Sequence, residues 1–137
     1  MLVFLDASAV IYLLEGDEPT RQAVRGTLKG LQGEGNPPAL AVSALSRLEC
    51  RVRPMRASNA GALEQIDRFL DDPGLMVIPL DTPVLDLATE LRARHGLRTP
   101  DAIQAASLLV TEPEGAFVTG DADFHKVPGL RVHLVPS

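Results

Sequence analysis

Met1-Leu2-Val3-Phe4-Leu5-Asp6-Ala7-Ser8-Ala9 opens the chain, and its reading decides the fold. Four apolar residues, Leu2 to Leu5, run straight into an aspartate and then into small residues and a serine. A short uninterrupted apolar run reads as a strand buried on both faces, as in a parallel sheet lying between helices. It is too short for a core helix. Asp6 then stands where the strand leaves the sheet, and in open α/β sheets the carboxyl ends of the strands line the ligand crevice. Ser8 is placed to cap a helix over about residues 9–15.

The same grammar repeats along the chain. Pro19 suits a first helical position, so a second helix is expected over about 19–32, weakened by Gly26 and Gly30 at about 1 kcal/mol each relative to Ala. Residues 33–38, Gly-Glu-Gly-Asn-Pro-Pro, read as a loop. A strand over 39–42 leads through Ser43 as a cap into a helix over 44–53 that stops near Pro54. Leu45, Leu48 and Val52 would be that helix's inward stripe, with Glu49 beside it. Ser58 would cap a further helix to Leu70. A strand over 75–80 carries Pro79 and so belongs at an edge. Thr82-Pro83 begins a helix with the stripe Val84, Leu87, Ala88 and Leu91, closed near Gly96. Thr99-Pro100-Asp101 begins another that is apolar almost all round and therefore buried. Ala116-Phe117-Val118-Thr119 is a strand that again meets acid, at Asp121, and a last strand spans about 130–135. Strands alternating with helices indicate a parallel α/β sheet.

Composition sets the outer bounds. With 137 residues and 45% hydrophobic content, a single domain over 1–137 with a core of Leu, Val, Ala and Ile is expected. Aromatics are 4%, without Trp, so any platform for stacking a nucleobase falls to Tyr12 or Phe124. The net charge of −5 argues against a general nucleic-acid binder, although a carboxylate metal site is acidic until its cation binds. Basic charge gathers at Arg47, Arg51, Arg53 and Arg56, and again at Arg92, Arg94 and Arg98. Either group reads as a solvated helix face or as a contact surface. Cys50 is the one cysteine, which points to a cytoplasmic protein without disulfides. No apolar run reaches the roughly 18 residues that span a membrane, and a secretion signal's basic start is absent.

Two buried strands thus end at aspartates, Asp6 and Asp121. A buried helix begins with Asp101, and Glu49 lies beside an apolar stripe. Each has a bland reading: caps, dipole complements, or for Glu49 an ion pair with Arg53 or Arg56. Together, four acids in one crevice call for a cation, and hard oxygen ligands suit Mg²⁺ or Mn²⁺ rather than zinc. His95, His125 and His133 lack zinc-site spacing. Asp123 is a fifth candidate, through water, or a turn cap. Ser8 and Thr119 are hydroxyls placed to hydrogen-bond the carboxylates or to cap.

These motifs resemble those of a PIN-domain nuclease, and more narrowly a VapC-type toxin. The resemblance rests on Phe4-Leu5-Asp6-Ala7-Ser8, on Glu49 after Ala41-Val42-Ser43, on Thr99-Pro100-Asp101-Ala102-Ile103 with Ala105 and Ala106, and on Phe117-Val118-Thr119-Gly120-Asp121-Ala122-Asp123-Phe124. Gly120 departs from the small polar residue more usual in that family and touches no expected ligand. The resemblance implies a single PIN-like α/β domain with a parallel sheet of order 3-2-1-4-5. It implies an Mg²⁺- or Mn²⁺-dependent endoribonuclease using a metal-activated water, with Asp6, Glu49, Asp101 and Asp121 as catalytic and metal-binding acids. It also implies an RNA substrate, a VapB-type antitoxin and a homodimer, with Arg47, Arg51 and Arg98 as candidate contacts to RNA or antitoxin. Two other readings stand beside it. One is a PIN-fold protein that binds without turnover. The other is a Mg²⁺-binding phospho-acceptor domain, which would want paired acids early and a lysine at a late strand end. A haloacid-dehalogenase phosphatase would want an acid where Ser8 stands.

Overall fold

The computed structural model describes residues 1–31 and 39–135, so the loop read over 33–38 and Gln32 lie outside the described residues. Among the described residues five strands form one sheet: β1 (Leu2–Leu5), β2 (Ala39–Ser43), β3 (Met76–Ile78), β4 (Ala116–Thr119) and β5 (Arg131–Leu134). Their order is β3-β2-β1-β4-β5 and every pairing is parallel, as expected. Six α-helices flank the sheet among the described residues: α1 (Ala7–Glu15), α2 (Glu18–Gly30), α3 (Leu45–Arg56), α4 (Ala60–Leu70), α5 (Thr82–His95) and α6 (Thr99–Thr111). A 3₁₀ turn spans Ala122–Lys126.

β1 is central because its side chains are apolar on both faces, and alternation sends them to two cores. Leu2 and Phe4 join Ala41, Phe117 and the buried faces of α5 and α6. Val3 and Leu5 join Val42, Val118 and residues of α1, α2, α3 and α4. The register places Phe4 beside Phe117, and their rings stack with centroids 5.2 Å apart. Phe124 closes on Phe117 at 4.7 Å, which buries it and removes it as a base-stacking platform.

Three helix starts, those of α1, α2 and α5, differ from the expected ones for one reason. Aspartates capture the N-cap: Asp6 accepts from Ala9 N–H, Asp17 from Thr20 N–H and Asp81 from Val84 N–H. Ser8 and Thr82 therefore lie inside helices rather than capping them. Asn59, not Ser58, caps α4. α5 closes as expected on Gly96, whose φ of 67° is left-handed and suits a residue without Cβ.

α3 corrects the expectation most sharply. It runs past Pro54 to Arg56, and its buried residues are Ser46, Cys50 and Pro54. Leu48 is 62% exposed and Val52 is exposed too, with only Leu45 packed against a core. The helix is rotated so that the row holding Ser46, Glu49 and Cys50 faces the protein. α6 behaves as expected: every residue from Ala102 to Leu108 is buried.

Candidate active site

Asp6 leaves the central strand at the carboxyl edge of the sheet. Its N–H donates to Val118 O at 3.2 Å, so the chain is still tied to β4 as it turns into α1. Its side chain is held from three directions and the residue is 4% exposed. Oδ1 accepts from Ala9 N–H at 2.9 Å and from the Ser8 hydroxyl at 2.7 Å, and Oδ2 accepts from the Thr119 hydroxyl at 2.6 Å. Burial pushes this carboxyl above its usual range, the three hydrogen bonds pull it back, and the Asp101 charge pushes it up further.

The same two hydroxyls lace the turn after β1 to the turn after β4. Ser8 Oγ accepts from Gly120 N–H at 3.0 Å, and Thr119 Oγ1 accepts from Asp121 N–H at 3.0 Å. Ser8 and Thr119 thus both donate their hydroxyls to the Asp6 carboxylate. Asp121 caps the 3₁₀ turn by accepting from Asp123 N–H at 2.9 Å. Asp123 enters that bond through its backbone, and its side chain is exposed. A Cβ at Gly120 would run into the ring of Tyr12, so the glycine lets that ring pack against the turn.

Glu49 reaches the site from the second turn of α3. Among the described residues its side chain makes no ion pair with Arg53 or Arg56; instead its Oε1 accepts from Gln104 Nε2 of α6 at 2.8 Å. Burial raises its carboxyl pKa, the Gln104 hydrogen bond lowers it, and the charges of Asp101 and Asp6 raise it again. Asp101, in the first turn of α6, is half-buried and pairs with Arg98 Nε at 3.1 Å. That Arg98 cation also feels Asp121 and Asp123, and its own pKa is raised, first by the Asp101 hydrogen bond.

The structure thus brings Asp6, Glu49 and Asp101 into one another's fields and joins Asp121 to Asp6 through Thr119. Among the described residues no group of three His, Cys, Asp or Glu side chains is arranged as a ready metal cage. The chemistry of the donor set nonetheless fits a hard divalent ion. All the donors are carboxylate oxygens, Asp6 and Glu49 are both raised by burial and by the charge of Asp101, and no lysine or arginine pairs with Asp6 or Glu49 among the described residues.

Of the candidate arginines, Arg47 pairs with Asp71 at 2.9 Å and Arg51 with Asp67 at 2.8 Å, both across to α4 or its end. Two residues escaped the sequence reading, Gln104 and Ser46, which share a buried hydrogen bond of 3.1 Å. The available signal was a glutamine one turn beyond Asp101, inside a helix otherwise built of apolar and small residues.

A family model for the PIN domain matches residues 3–130. No curated protein matches the chain. Its fold is similar to that of VapBC2 from Rickettsia felis bound to a DNA fragment from its promoter, with a TM-score of 0.77 at 18% identity over 99% of this chain and 100% of that one. It is also similar to a toxin–antitoxin complex from Klebsiella pneumoniae, with a TM-score of 0.73 at 21% identity over 98% of both chains. VapBC-1 from nontypeable Haemophilus influenzae gives a TM-score of 0.73 at 15% identity over 98% of both chains.

Proposed function

This chain belongs to the PIN-domain family, and on that premise we propose that it is an Mg²⁺- or Mn²⁺-dependent endoribonuclease serving as the toxin of a VapBC-type pair. The observation that carries the reading is the acid cluster at the carboxyl edge of the sheet, with Asp6 buried and pinned at its centre. Asp6, Glu49, Asp101 and Asp121 would hold the ion, with Asp123 as a further ligand through water. When bound, the ion supplies an activated water and neutralises the scissile phosphate.

The chain's own residues do the rest. Ser8, Thr119 and Ala9 N–H fix the Asp6 oxygens in advance, so no ordering is required when the ion arrives. Arg98 stands at the exposed mouth, where a guanidinium can form charge-assisted hydrogen bonds to an RNA phosphate. The Tyr12 ring, packed on Gly120, is the aromatic surface beside the site. No side-chain nucleophile is required. The Ser8 hydroxyl is committed to Asp6, and burial pushes the Cys50 thiol up to about 12, which keeps it protonated.

The activity is assigned to one domain spanning 1–137. The toxin–antitoxin complexes of the same fold support a VapB-type protein partner. The exposed stripe Leu48, Val52 and Met55 on α3 supports a homodimer. No helix of the described residues is long and apolar enough to cross a membrane. The buried free thiol of Cys50 supports a cytoplasmic setting.

The test is cleavage of total bacterial RNA, at fixed salt, by wild type and by Asp6→Ala, with Mg²⁺, with Mn²⁺ and with EDTA. Discrete products that depend on metal and fall at least 100-fold in Asp6→Ala are expected, since outer partners of a metal site alone are worth about 10–100-fold. Equal behaviour of the two proteins would remove the assignment. No cleavage by wild type over a broad RNA panel would favour a PIN-fold protein that binds without turnover.

A further inference from the structure

We propose that Gln104 is a positioning residue, whose side-chain amide holds the Glu49 carboxylate in place for the metal and so sets metal affinity. The inference rests on reading Glu49 as a metal-binding acid, and it assigns a role to a residue that touches neither metal nor RNA.

Gln104 lies in the second turn of α6, three residues after Asp101, and is 2% exposed. Its Nε2 donates to Glu49 Oε1 at 2.8 Å and to Ser46 Oγ at 3.1 Å, which uses both hydrogens of the amide. The amide orientation follows from Glu49, because a carboxylate can only accept. Its Oε1 is buried and has no partner among the described residues.

That orphan oxygen is the telling feature. A buried carbonyl without a donor is costly, and an unbranched apolar side chain would fill the same space without that cost. Polar residues in α6 are not condemned to this: the Ser107 hydroxyl donates to Ile103 O at 2.7 Å within the same helix. Gln104 instead reaches across to α3, 55 residues away in sequence, and what it gains there is the pair of donor bonds. The group is also electrically suited. A neutral amide orients a carboxylate without cancelling its charge, whereas a lysine or arginine at this position would compete with the metal. One helix thus carries an acid of the cluster, Asp101, and the clamp for a second acid, Glu49.

The experiment titrates Mn²⁺ into the full chain by calorimetry, with melting in EDTA recorded alongside, for wild type, Asp6→Ala, Gln104→Met, Ser46→Ala, Glu49→Ala and the Glu49→Ala/Gln104→Met pair. Gln104→Met should bind Mn²⁺ about 10–100-fold more weakly, and melting in EDTA reports separately what the loss of its two donor bonds does to the fold. Ser46→Ala should bind like wild type. The pair should bind no more weakly than Glu49→Ala alone, since a residue acting only through Glu49 has nothing left to position. The pair keeps the test decisive even where Gln104→Met lowers the melting temperature. Wild-type affinity in Gln104→Met, or an additive loss in the pair, overturns the inference and leaves the metal site standing. Wild type that binds no Mn²⁺, or binds it as Asp6→Ala does, overturns the metal site itself and the inference with it.

Discussion

Asp6 holds two posts at once. It caps α1 through Ala9 N–H and forms the buried centre of the acid cluster. The serine two residues on, read from sequence as the cap, instead donates its hydroxyl to that aspartate. Asp, Ser and Thr are nearly equal as N-caps, so propensity does not choose among neighbours. The choice falls to whichever residue keeps an extended backbone as the chain leaves the strand or turn. Gly120 shows a similar limit. Its sequence context marks a turn, but only the structure shows that the Tyr12 ring fills the place of its side chain. Gly120→Ala should destabilise the protein by about 1–3 kcal/mol, as overpacking does, measured by urea denaturation. In a Tyr12→Ala background the same change should cost distinctly less. An unchanged cost there would mean that Tyr12 is not the obstacle.

Among the elements, β1, β4 and α6 were legible because they are apolar on all sides, which leaves burial as their only arrangement. α3 was legible as a helix and misread in orientation. Periodicity reports that Leu48 and Val52 share a face, but it does not say which face meets the core. Here Ser46, Cys50 and Pro54 face inward, and Leu48, Val52 and Met55 point out, with Met55 55% exposed. Three apolar residues at helical spacing in solvent suit an interface between copies. Wild type should therefore elute as a dimer in light-scattering chromatography and the Leu48→Glu/Met55→Glu variant as a monomer. Its folding stability in dilute solution should change by less than about 0.5 kcal/mol per site, as for surface substitutions. A wild-type monomer, or a variant that remains dimeric, would place any interface elsewhere.

At the scale of the whole molecule, the parallel order β3-β2-β1-β4-β5 gathers the ends of β1 and β4 and the start of α6 at one edge. Carboxylates are thereby brought together around the buried Asp6, so stability is expected to depend on pH. The folded-state pKa of Asp6 is raised, first by burial. A raised acid binds more protons folded than unfolded, so its share of stability is lost as pH rises through the folded value. In EDTA, Asp6→Asn should melt above wild type at neutral pH, and the margin should shrink as pH falls and Asp6 takes up its proton. With saturating Mn²⁺ the order should reverse, because only wild type gains the binding free energy, about 2.7 kcal/mol at a hundred times the dissociation constant. Scanning calorimetry at several pH values checks both. A margin that is constant with pH would show that Asp6 is not titrating in the burial seen here.

The sequence by itself determined the fold class, the strands and their parallel sense, and singled out Asp6, Glu49, Asp101 and Asp121 as candidate acids. These are local facts: apolar runs too short for helices, an alternation that admits few topologies, and acids at strand ends and helix starts. The tertiary structure alone decided which residues serve those acids. Thr119 reaches Asp6 across 113 positions and Gln104 reaches Glu49 across 55. It also decided that Arg47 and Arg51 turn to Asp71 and Asp67 on their own chain. The physical reason is range. Propensity and periodicity act over a turn of helix or a pair of strand residues, whereas a hydrogen bond between distant segments exists only once the packed sheet has set their separation.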